Sequence, residues 1–216
     1  MNYGQVIDQI RDLGFGDDDE IEEFGELVPN AINRAITEIS MNYAPIMSYY
    51  DITQPLDGMT EEQWNKSQGE DENGEPLPSY SDQIYEYLMP DDFMKFADVP
   101  VKRQLGEGIY QRFNDFEIEN GDTIILGGNN IGTFRVFYVA DHEPFTVKSS
   151  RGMDIPLPLK AHHLLPLLAS YYVWLDDDQA KAQEYFARYQ VALQSAMAET
   201  QKPRARIRSD WGGFIG

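Results

Sequence analysis

Residues 161 to 175 read AHHLLPLLASYYVWL and put two adjacent histidines, His162 and His163, at the head of an apolar run. Histidines ligate a metal from a helix when they converge at i and i+4, whereas neighbouring helical residues project about 100° apart. No pattern brings His142, the remaining histidine, close to them. The pair therefore reads as structural or hydrogen-bonding, and no metal is expected. Asp17 and Asp19, or Asp71 and Asn73, have the opening spacing of a calcium loop, but Ile21 and Glu75 occupy the fifth position and the glycine required at the sixth is missing. Both stretches read instead as solvated acidic faces or caps. Asp91 and Asp92 could act as an acid and base pair, yet a Pro-Asp-Asp sequence at a strand entrance favours a turn, and no partner nucleophile can be named. The glycine-rich GGNNIG at 127 to 132 lies between two predicted strands rather than before a helix, so it reads as a hairpin connection, not a phosphate loop. With no cysteine in the chain, thiolate chemistry and disulfides are excluded. No catalytic constellation and no cofactor site emerge.

These candidates must be positioned by a chain of 216 residues, long enough to bury its own core. The formal net charge of −20 opposes general affinity for nucleic-acid phosphates. That charge is uneven: residues 16 to 26 and 67 to 75 are acidic, while KPRARIR at 202 to 208 is basic. The longest apolar run, Leu164 to Leu175, is too short to span a bilayer, and the first residues lack an export signal, so a soluble, unexported protein is expected.

Val6, Ile10 and Leu13 have the spacing of a short amphipathic helix that Gly14 and Gly16 end. Val28, Ile32, Ala35, Ile36, Ile39 and Tyr43 form a second helical stripe, opened or kinked at Pro29 and closed by Pro45. Residues 51 to 82, rich in Gly, Pro, Asp, Glu, Ser and Asn, read as a surface excursion ordered around Trp64. From residue 84 the period becomes alternating. Strands are predicted in YEYLMPDDFMKFADVPVK, on both sides of an Asn120-Gly121 turn, and in TFRVFYVAD. The helical period then returns, first in a helix or kinked pair from Leu159 to Leu175. A last helix follows Asp176, Asp177 and Asp178, with Ala182, Tyr185, Phe186, Tyr189, Leu193, Ala196 and Met197 as its apolar stripe.

The fold expected is α+β: a helical bundle with an inserted small antiparallel β unit and an extended C-terminal arm. Its parts are N-terminal helices at 1–50, an acidic excursion at 51–83, the β unit at 84–150, C-terminal helices at 151–200 and the arm at 201–216. A helix apolar nearly all round must be covered on several sides, so Leu164, Leu168, Tyr171, Tyr172 and Trp174 are expected at an interface with a neighbouring subunit.

This order of pieces, with LVPNAINRAITEI, LMPDDFMKF, FEIENGDTIIL, FRVFYVAD and IPLPLKAHHLLPLLASYYVWLDDDQAKAQEYFARYQVAL, resembles the head-to-tail connector (adaptor) proteins of tailed bacteriophages, most closely the tail tubular or gatekeeper branch. The resemblance runs from Met1 to about Ala198 and is one of pattern. It implies a structural, non-enzymatic protein assembled as a ring, commonly a dodecamer, in the virion neck. Its partners would be the portal protein, a tail or nozzle protein and other copies of itself, with DNA passing through unbound, no membrane contact, and assembly in the host cytoplasm. Within that reading, Asp17, Asp18, Asp19, Glu22 and Glu23 are expected to face the channel. Arg204, Arg206, Arg208, Trp211 and Phe214 are expected to dock on the portal, because an extended basic segment carrying two aromatics gains by lying along a partner. Two other classes fit the composition: a non-viral cytoplasmic binding module with a β platform, and a carboxylate-dependent hydrolase built on Asp91 and Asp92.

Overall fold

The computed structural model describes residues 1–14, 25–55, 59–66 and 69–200. The expected α+β class is what it shows. Two compact units divide the chain: a helical unit of the described residues in Met1–Ala35, in Thr146–Ile155 and from Leu159 onward, and a β unit of Ile36–Phe145 with Pro156–Pro158.

In the helical unit, α1 (Tyr3–Gly14) buries Val6 and Ile10, as their spacing predicts. The next helix, α2 (Leu27–Asn42), buries Val28, Ile32, Ala35, Ile36 and Ile39 on one stripe, and the boundary between the units falls inside it. The stretch from Leu159 is not one helix. A 3-10 turn at Leu159–Ala161 precedes α4 (Leu165–Trp174), with Pro166 in the first helical turn, where its missing N–H leaves no intrahelical bond unmade. Both α1 and α5 (Gln179–Thr200) pack on α4. Asp178 opens α5 as predicted, its Oδ1 accepting from the Lys181 amide at 3.0 Å. Lys181 Nζ and Tyr185 OH donate to the carbonyls of Gly14 and Leu13, satisfying acceptors at the end of α1.

The start of α1 is held by a distant segment. Tyr3 N donates to Met153 O at 2.8 Å and Gly4 N to Arg151 O at 2.8 Å. Backbones approach so closely here that a Cβ on Gly4 would lie 2.9 Å from Arg151 Cβ.

The β unit is larger than expected, with eight strands among the described residues. One sheet is built around β8 (Gly132–Ala140), which pairs antiparallel with β1 (Met47–Gln54) along one side. Along its other side lie β4 (Lys102–Gly106) and β3 (Phe93–Phe96), and β5 (Ile109–Arg112) extends the sheet beyond β4. A second sheet has the order β2 (Ile84–Leu88), β7 (Thr123–Gly127), β6 (Glu117–Glu119). Inward residues of both sheets share one core that includes Ile52, Phe134, Val136 and Tyr138 from the first and Ile124 and Leu126 from the second. The predicted Asn120-Gly121 turn links β6 to β7, with φ of 53° and 84° at its two positive-φ positions.

Residues 127 to 132 correct the hairpin expectation. They join β7 of one sheet to β8 of the other, so they form a corner between sheets. The corner is pinned from three sides. Gly128 N donates to Gln83 O at 2.7 Å, and Gly128 O accepts from Trp64 Nε1 at 2.6 Å. With its amide turned so that the nitrogen faces the corner, the orientation that satisfies both ends, the buried Gln54 donates to Asn130 O at 2.5 Å and to Gly127 O at 3.2 Å while accepting from Tyr87 OH at 2.9 Å. Trp64 is 0% exposed and stacks on Tyr80 with centroids 5.5 Å apart. It ends the short α3 (Glu61–Trp64), whose Thr60 and Gln63 form a capping box. Order around Trp64 is thus as predicted, but residues 51 to 54 are strand, not surface excursion.

Two substitutions test this corner. A Cβ on Gly128 would sit 2.1 Å from Tyr80 O, so Gly128→Ala should lower the stability of the β unit by at least about 2 kcal/mol, read as a shift in urea midpoint. Gln54→Leu keeps the volume but takes the donor from the Gly127 and Asn130 carbonyls, and a loss of about 1–3 kcal/mol is expected in the same measurement.

Candidate interaction surfaces

Each chemically suggestive residue has a definite place. His162 and His163 lie between the 3-10 turn and α4, His162 Nδ1 accepting from the Met1 amine at 3.3 Å. With Met1, Gln9, Asp12, Leu13, Pro166 and Leu167 they line a groove of about 560 Å³. Among the described residues, no group of three His, Asp or Glu side chains is arranged to hold a metal ion. Asp92 Oδ1 accepts from Tyr138 OH at 2.8 Å, and Phe93 N donates to Pro90 O at 2.9 Å, so the Pro-Asp-Asp sequence makes the turn expected of it. Asp71 Oδ1 accepts from the amides of Asn73 and Glu75 at 2.8 and 2.9 Å. Those bonds to the charged form hold its carboxyl below the ordinary range and close a local turn.

The apolar run is covered within one chain. Leu164 and Leu168 are fully buried, Tyr172 and Trp174 are buried, and Tyr171 is half-buried against Tyr172 and Phe186. Arg34 of α2 stands 4.1 Å from the Tyr172 ring centroid. Within the chain, α1 and α5 pack on this helix and Arg34 of α2 stacks on its Tyr172 ring. Asp17, Asp18, Asp19, Glu22 and Glu23, and likewise Arg204, Arg206, Arg208, Trp211 and Phe214, lie outside the described residues.

Exposed apolar residues occur on both units, among them Leu159 and Val191 of the helical unit, and on the β unit most lie on strand faces. Pairing register puts Tyr49, Asp51, Lys102, Tyr110, Arg112, Arg135 and Phe137 on the outer face of the larger sheet. Arg135 makes a bidentate pair with Asp51 at 2.8 and 2.7 Å and lies 3.8 Å from the Tyr49 ring centroid. Lys102 stands 4.9 Å from the Phe137 centroid. The smaller sheet presents a different face: Ile84, Glu86 and Leu88 of β2 share it with Glu117 and Glu119 of β6, and Ile84 and Leu88 are 70% and 67% exposed. Leu105 and Ile109, beside the turn between β4 and β5, are exposed as well.

Exposed apolar strand faces, beside carboxylates at Asp71 and Asp92 that serve turns, suit contact with other macromolecules. Comparison with known families decides which kind. The family model described as SU10 adaptor protein matches residues 1–210. The chain belongs to the SU10 adaptor protein family. This is a phage head–tail adaptor family, in keeping with the resemblance drawn from the order of elements, and it makes the chain a structural virion protein that contacts other head or tail proteins. No curated protein matches the chain.

Sequence reasoning passed over the exposed apolar residues of the adaptor's β2, β5 and β6. The available signal was IYEYL, in which both alternating sets are largely apolar although only the tyrosines are turned toward the core.

One titrating group of the adaptor carries a testable consequence. The His142 side chain is only 5% exposed, 6.3 Å from Phe145 between ring centroids and 3.4 Å from Asp141 Oδ1. Burial pushes its pKa below the usual 6.5, and the Asp141 charge offsets this in part. With a depressed folded pKa, the unfolded chain binds the proton more readily, so stability is full above about pH 6.5 and falls as pH drops toward the folded value. Thermal melts from pH 7.5 to 5 should show wild-type Tm falling more steeply than that of His142→Asn. Parallel curves would assign the pH dependence to other groups.

Proposed function

We propose that this adaptor assembles as a closed ring between portal and tail, encircles the path of the DNA, and works by binding alone. The observation that carries the reading is the family match over residues 1–210. Three features support it. Exposed apolar positions on two strand faces suit repeated contacts with neighbours. A net charge of −20 suits a passage through which DNA slides without being held, because each phosphate contact would add a salt-dependent grip. In this proposal the acidic residues Asp17, Asp18, Asp19, Glu22 and Glu23 contribute to that passage. The third feature is the aromatic end of the C-terminal segment, where Trp211 and Phe214 are suited to fill pockets on the portal.

Mass measurement of the protein alone and after mixing with its portal tests the reading directly. Many copies per portal, in a ring closed by symmetry, are expected; a single bound copy would overturn it. Deleting residues 202–216 should leave a folded protein with at least tenfold weaker portal binding, and undiminished binding would remove the segment from the portal contact.

A further inference from the structure

The smaller sheet of the β unit is unfinished on the β6 side. β6 pairs with β7 alone among the described residues, and its three residues Glu117, Ile118 and Glu119 are all exposed. An edge with free N–H and C=O groups is a template for a further strand. The side chains along this edge define what kind. Register aligns Tyr87, Ile124 and Ile118 in one row across the sheet, and the row runs from half-buried through fully buried to 49% exposed at the edge. On the opposite face Glu117 and Glu119 stand beside Ile125 and Thr123, with Glu86 on the far strand, so three carboxylates occupy one small area. A strand that completes this edge needs an apolar residue flanked by two cations at i−1 and i+1.

The chain carries that pattern with a large apolar residue at its centre once. Residues 204 to 208 read RARIR, and Arg206-Ile207-Arg208 is the charge complement of Glu117-Ile118-Glu119. We infer that residues 204–208 add to the β6 edge as a fourth strand, with Ile207 across from Ile118 and Arg206 and Arg208 across from the two glutamates. The alternation makes this match independent of strand direction, because reversing the strand exchanges the arginines and leaves Ile207 opposite Ile118. Main-chain bonds would supply adhesion, the isoleucine would extend the buried row, and opposite charges on the outer face would fix register. Other registers match less well: Lys202 precedes a proline, which cannot donate to a ladder, and Arg204-Ala205-Arg206 offers only a methyl group to the buried row. The assignment leaves Trp211 and Phe214 for the portal and does not depend on that contact.

The absence of cysteine from the sequence permits a direct test on the full-length protein without portal. Ile118→Cys combined with Ile207→Cys should cross-link under mild oxidation or with a short bismaleimide, at least tenfold faster than Ile84→Cys combined with Ile207→Cys on the opposite edge of the same sheet. A compact monomeric product would place the strand within its own chain, and a dimer or ladder would place it on a second copy; either supports the pairing. Reversing the edge charges with Glu117→Lys and Glu119→Lys should slow the reaction about tenfold, and adding Arg206→Glu and Arg208→Glu should restore it, with unchanged circular dichroism confirming the fold. A rate at position 118 no greater than at position 84, or one indifferent to these reversals, would overturn the inference.

Discussion

A ten-residue helix with no polar face cannot stand in water, and the helical unit is organised by that constraint. Leu165, Pro166, Leu168, Ala169, Ser170, Tyr172, Val173 and Trp174 are all buried, so most of the circumference of α4 must meet a neighbour. The long α5 folds back on it, α1 lies against it, and Arg34 of α2 caps the Tyr172 ring. The polar groups at the rim follow from the same packing. Lys181 sits 3.4 Å from the Trp174 ring centroid and bonds the end of α1, so one ammonium group ties three helices. At Gly14 the approach is so close that a Cβ would meet Trp174 Nε1 at 2.8 Å.

Charge is distributed by a comparable economy. With 37 acidic residues against 17 basic ones, the folded body engages its cations locally: Arg135 with Asp51, Arg151 with Asp8, Arg188 with Glu184. Such exposed pairs contribute little stability each, about 0–1 kcal/mol, but they leave the carboxylates in excess to set the surface field. Four of the 17 cations lie together at 202 to 208. The chain therefore holds its one concentrated basic stretch in a segment whose natural counterparts are its own acidic faces or those of a partner.

The helices were legible in the sequence because their burial follows the 3.6-residue period. Val6 and Ile10, then Val28, Ile32, Ala35, Ile36 and Ile39, then Ala182, Tyr185 and Tyr189 are buried as their spacing requires, whereas Met197 is exposed at the end of its stripe. Strands β2, β3, β6, β7 and β8 were legible for the matching reason. β1 was not, because its sides break the rule: Tyr49 faces out, while Gln54 faces in and spends its amide on the inter-sheet corner. β5 was hidden by its polarity, although the Gly106 and Gly108 flanking its turn were a usable hairpin signal. The corner at 127 to 132 was misread because local sequence reports a reversal of chain direction but not which sheet the next strand joins. The chemically suggestive residues were judged from spacing alone, and spacing could show that they fail to converge. It could not show that the apolar helix is covered from within, since that depends on three helices drawn from both ends of the chain.

The tethering of α1 bears on how the protein is made. Nearly all of the β unit is contiguous, Ile36 to Phe145, so its contacts can close while the ribosome is still adding later residues. The first helix has no such opportunity. Its entry is bonded to Arg151 and Met153 and its exit to Lys181 and Tyr185, all of which are synthesised more than a hundred residues after it. A segment made before the β unit is thus bonded by segments made after it. The helical unit cannot close around Val6 and Ile10 until α4 and α5 have been made.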